Sequence, residues 1–141
     1  MKTPYDAALR VRQRELEGMS NAIRTEAGTL AELERAQGHV RAMLADEADL
    51  AAGDIALSSP AWLARVRGQQ RDIDGRRAAS QARIDKLRDM ATDAYGTLRG
   101  IETAAEGFRA ERSRAETAAE QGLVDDLGAV AFLRARREAG R

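Results

Sequence analysis

Cysteine is absent from the 141 residues, which excludes disulfide frameworks and thiolate metal sites together. Aromatic side chains are scarce: two Phe, two Tyr and one Trp cannot fill a thick globular core, so the interior must be thin. No apolar run approaches the ~18–20 residues that would cross a bilayer. The segment MKTPYDAALRVRQRE carries no apolar stretch of the signal-peptide kind, and a reducing cytoplasm is the expected setting. An excess of one charge is missing too. The 23 basic and 23 acidic residues cancel, so generic nucleic-acid binding lacks global electrostatic support.

What the chain does have is Ala, Arg and Glu in abundance and 33% charged residues, a composition of long helices rather than sheets. Its organising stretch runs from Leu63 to Ala119. Read in sevens, one line is Val66, Ile73, Ser80, Leu87, Ala94, Ile101, Phe108, Ala115. The second is Leu63, Gln70, Arg77, Ile84, Ala91, Leu98, Ala105, Arg112, Ala119. An alternation of three and four sustained this long predicts a coiled-coil helix, a rod on the order of 85–90 Å.

A weaker ladder precedes it. Leu9, Leu16, Ile23, Leu30, Gln37, Leu44, Ala51 form one line, and Tyr5, Arg12, Met19, Glu26, Leu33, Val40, Glu47 the other. The first line is apolar at six of seven places and the second at four of seven, as for a helix facing a single partner. Glu26 and Arg12 read as exposed. Pro4 suits a first helical turn, with Thr3 as N-cap and Asp6 three residues on reaching the free amides. Gly18, Gly28, Gly38, Gly68, Gly75, Gly96, Gly100 and Gly107 all fall off the four lines. Each costs ~1 kcal/mol of helix propensity, so packing must hold the helices, yet none removes a seam side chain.

Gly53-Asp-Ile-Ala-Leu-Ser-Ser-Pro60 is the expected connection. Gly53 closes one helix, and Ser59 followed by Pro60 opens the next. So short a link between long helices favours an antiparallel pair. The sequence therefore predicts an all-α fold, a long antiparallel two-helix coiled-coil hairpin over residues 1–121. Helix one covers about 4–52, the turn 53–59 and helix two about 60–121, the second overhanging the first by a few turns. The seam stops at Gly122. Residues 122–141 read as a separate, short, marginal and mobile helix, with Leu123, Leu127, Val130 and Leu133 at helical spacing. Asp125 and Asp126 near its start and Arg134, Arg136 and Arg137 near its end suit a helix dipole.

Nothing in the chain assembles catalytic chemistry. His39 is a lone histidine, and the paired carboxylates interleave with arginine as solvated helix faces. No phosphate loop and no nucleophile with its base are present, so no enzyme, cofactor or metal is expected. Gln37, Gln70 and Arg77 are polar seam positions, either fixing the register or lying wet in a thin interface. Trp62 lies just off the seam, followed by Arg65, Arg67, Arg71, Arg76 and Arg77 against only Asp72 and Asp74. It either caps the hairpin end or stands out as a partner contact.

The chain resembles the FliJ family, the small coiled-coil component of the bacterial flagellar type III export apparatus. The likeness covers nearly the whole length and rests on size, the two-helix organisation, and the stretch YGTLRGIETAAEGFRAER. The run AEQGLVDDL also matches, a Glu-Gln followed by an acidic pair. The tail departs from the family, with Gly128 and an Ala-Val-Ala-Phe patch where a polar helix is usual. The resemblance implies a non-catalytic stalk at the cytoplasmic flagellar base, without membrane insertion or nucleic-acid binding. The end with both termini would enter the export ATPase hexamer through Glu120, Gln121, Asp125 and Asp126. The start of helix two would meet the membrane export gate through Trp62, Val66 and Ile73, with export chaperones as further partners. A generic coiled-coil scaffold or tether that self-associates is the alternative from another class. A nucleic-acid binder using Arg65–Arg77 is a third, requiring binding that survives moderate salt.

Overall fold

A computed structural model describes residues 1–53 and 59–140, apart from the side chains of 51 and 53. Its two elements are α1 (Asp6–Gly53) and α2 (Pro60–Ala139), and no strand occurs among the described residues. The two long helices pack against each other. Most of the expected turn, residues 54–58, lies outside the described residues.

Both helix starts form where the capping chemistry predicts. The Thr3 amide donates to Asp6 Oδ2 at 3.1 Å, the Thr3 hydroxyl donates to Asp6 Oδ1 at 2.6 Å, and the Tyr5 amide donates to Thr3 Oγ1 at 3.3 Å. This reciprocal exchange gives partners to amides that a helix start leaves without any. At α2 the Trp62 amide reaches Ser59 Oγ at 3.4 Å, and Pro60 occupies the first helical position, where no donor is needed.

The chain divides into two compact units. In the unit Gln13–Gly96, the interhelical contacts run in opposite chain order. Gln37 Nε2 donates to Asp74 Oδ1 at 2.6 Å, Arg77 Nε lies 3.7 Å from Glu34 Oε1, and Arg83 Nε lies 2.7 Å from Glu26 Oε1. As the α1 number falls, the α2 number rises. The seam lines are the buried ones: Val40, Val66, Ile73, Ile84 and Ala94 are buried, and Leu30, Leu33 and Leu87 half-buried. Ser80 is fully buried, its hydroxyl 3.4 Å from the Glu26 carbonyl oxygen. A serine that small lets the backbones approach while its polar group stays bonded.

The other unit comprises Met1–Arg12 and Thr97–Arg141. Leu98 and Ala105 are buried there, and Leu9, Ile101 and Phe108 half-buried. From Glu111 to Gly140 every residue is exposed. The separate tail helix expected after Gly122 does not form as an element of its own, because α2 continues through Gly122 and Gly128 to Ala139. An isolated helical glycine costs ~1 kcal/mol, which weakens a helix without terminating it, and neither glycine has a positive φ.

Two carboxylates make the acid limb of stability testable. The hydrogen bonds from Thr3 hold the Asp6 carboxyl below its ordinary range, and Arg83, with the Ser80 hydroxyl, does the same for Glu26. A folded-state pKa that is lowered adds stability above the unfolded pKa, and that gain disappears as pH falls through the folded value. Asp6→Asn with Glu26→Gln should therefore lower the melting temperature at neutral pH. The deficit should shrink as pH falls below about 4.5, the ordinary glutamate value. Thermal melts across the acid range, with a deficit equal at every pH, would show that neither group contributes through its charge.

Candidate partner-binding surfaces

At the start of α2, Val66 and Ile73 join Val40 from α1 in a buried cluster, with Ala36, Met43, Leu44 and Trp62 packed around it. Only 4% of Val66 and 7% of Ile73 is exposed. Both occupy seam positions, where helix packing covers most of their surface. Of the three residues placed on the gate-facing side, Trp62 is the most accessible, half-buried where Val66 and Ile73 are buried. It lines a surface depression with Met43, Arg65, Val66 and Gln69. The indole thus packs the helix pair with one part and faces solvent with another.

The arginines after Trp62 divide by partner. Arg76 pairs with Asp72 at 3.2 Å and Arg77 with Glu34 at 3.7 Å. Arg65, Arg67 and Arg71 have no ion pair among the described residues, and Arg67 and Arg71 flank a depression with Ala64 and Gln70. The polar seam positions also divide. Gln37 is buried and bonded to Asp74, whereas Gln70 is half-buried and Arg77 exposed. Glu26 and Arg12 depart from the sequence expectation: both are half-buried rather than exposed, and Glu26 is ion-paired across the helices. The spacing of α1 alone could not supply its partner, Arg83, which lies 57 residues away.

Of the residues placed at the terminal end, Gln121 and Asp125 come together, the amide donating at 3.0 Å. Glu120 and Asp126 are exposed but leave the helix at other angles, since adjacent helical positions turn by roughly 100°. The four are therefore a belt around α2 rather than one patch. Beside them lies an exposed apolar surface of Leu123, Val124, Leu127, Val130, Phe132 and Leu133, of which Val124 and Phe132 add to the four residues at helical spacing in the sequence. The available signal was Leu123, Leu127 and Val130 standing one residue out of step with the seam lines.

His39 is exposed, and the described residues hold no group of His, Asp and Glu arranged to bind a metal ion. No described helix is long and apolar enough to cross a membrane. Compared with family models, curated proteins and solved structures, the chain matches none.

Proposed function

We propose that this chain is a non-enzymatic stalk or adaptor of flagellar type III protein export. In this reading it is an antiparallel two-helix coiled-coil hairpin that couples the export ATPase ring to the membrane export gate. It works in the cytoplasm, peripherally at the flagellar base, with export chaperones as further partners. The hairpin reading is supported by heptad lines of α2 that are buried or half-buried from Leu63 to Phe108 at every member but Arg77, and by polar contacts in opposite chain order. Trp62, with Arg65 and Gln69 beside it, is the surface offered to the gate. Glu120, Gln121, Asp125 and Asp126 are the surface offered to the ATPase.

The observation that carries this reading is the stretch of α2 from Glu111 to Ala139, exposed throughout and lined with large apolar side chains. Isolated helices are marginal in water and apolar stripes seek cover, so this length suits insertion into a partner. Removing everything from Gly122 onward takes away no buried residue among those described. The shortened chain should keep the melting behaviour of the packed helices and lose binding to, and stimulation of, the hexameric export ATPase. Normal stimulation by residues 1–121 alone would refute the assigned role, as would a full chain that never binds the ring.

A further inference from the structure

We propose that the exposed part of α2 pairs antiparallel with the same segment of a second copy of this chain. Over residues 120–137 the seam lines reappear, each advanced by one residue. One line is Glu120, Leu127, Arg134 and the other Leu123, Val130, Arg137, again spaced alternately by three and four. All six are exposed, including 63% of Leu127 and 60% of Leu123. This is a two-helix seam without a second helix.

The charges say what covers it. Residues 116–133 carry Glu116, Glu120, Asp125 and Asp126 with no basic residue among them. Arg134, Arg136 and Arg137 follow, opposed only by Glu138. One end of the stripe is acidic and the other basic, so the segment complements its own reverse. Antiparallel pairing about the midpoint between Leu127 and Val130 sets each of these against the other on the second copy. It lays Leu123 along the aliphatic stem of Arg134 and sets Glu120 against Arg137 at both ends. Parallel pairing would instead stack Glu120 on Glu120 and both arginines on themselves, which like-charge repulsion disfavours. The apolar stretch is only about three turns long, which suits a reversible dimer rather than an obligate one.

The pairing covers the surface that the export reading offers to the ATPase, so a second copy and the ring would compete for it; the pairing itself is measured on the full chain alone. In sedimentation equilibrium at low salt, the mass should climb from 15.3 kDa toward twice that value as concentration rises. Leu127→Glu should weaken the dimer about tenfold or more, by burying unpaired charge in the seam. Glu120→Arg and Arg137→Glu should each weaken it as well. An equimolar mixture of those two variants should recover the dimer, and so should the double variant, since each restores opposite charges across the pair. Every substitution lies at an exposed position, so helicity should not change. A mass of 15.3 kDa at every concentration would overturn the proposal and leave the stripe to a different partner. Dimerisation unaffected by Glu120→Arg, or not recovered in the mixture, would overturn the antiparallel arrangement.

Discussion

Ile84→Ala should destabilise the helix pair by about 2–5 kcal/mol, the cost of removing a buried branched side chain from a site that cannot fully collapse. Ile84 is 2% exposed, among the driest apolar positions in the molecule. Its loss removes contacts from a core only one side chain thick, where few neighbours can move in to compensate. Ile101 occupies an equivalent place on the heptad lines but is half-buried, and Ile101→Ala should cost clearly less. Leu16, also half-buried, should behave like Ile101. Urea denaturation of the full chain measures the difference. Equal losses at Ile84 and Ile101 would mean that burial along the seam is more even than the structure has it.

An effect as large, in the opposite direction, is expected from the glycines. Replacing Gly28, Gly38, Gly96, Gly100 and Gly107 by alanine should raise stability by about 2.5–5 kcal/mol in total, at ~0.5–1 kcal/mol for each site. All five lie within helices and are exposed, and a Cβ built on any of them meets nothing within 4 Å. None has a positive φ, so alanine introduces no backbone strain. The gain comes from the unfolded chain, which loses conformational freedom when glycine is replaced. Thermal melts should show a higher midpoint with unchanged helicity per residue in the folded state. An unchanged midpoint would show that the backbone at these positions gains nothing from restricted freedom.

The comparison of Ile84 with Ile101 shows how far spacing alone reaches. Both stand on one of the two lines read in sevens, and both leave the exposed surface, as do all line members between Leu63 and Phe108 except Arg77. Spacing identifies the side of the helix that turns inward, because side-chain direction follows backbone periodicity. It does not say how deeply each member is covered. Leu30, Leu33 and Leu87 stand on heptad lines as Ile84 does and are half-buried, while the dense cluster forms around Val40, Val66 and Ile73. Depth depends on which side chains stand across the interface, and that juxtaposition is not written in either helix.

By itself the sequence determined the helical class, both capped helix starts and the inward lines of both helices. These are local properties: propensity, capping and heptad spacing act within a few turns of one backbone. The tertiary structure decided the rest. It buried Val66 and Ile73 against Val40. It joined Glu26 to Arg83 and Gln37 to Asp74, pairs separated by 57 and 37 residues. It also carried α2 through Gly122 as one helix, leaving the apolar face around Leu127 exposed. Each of these outcomes depends on what lies opposite a residue in space, and a heptad count records only what lies beside it along the chain.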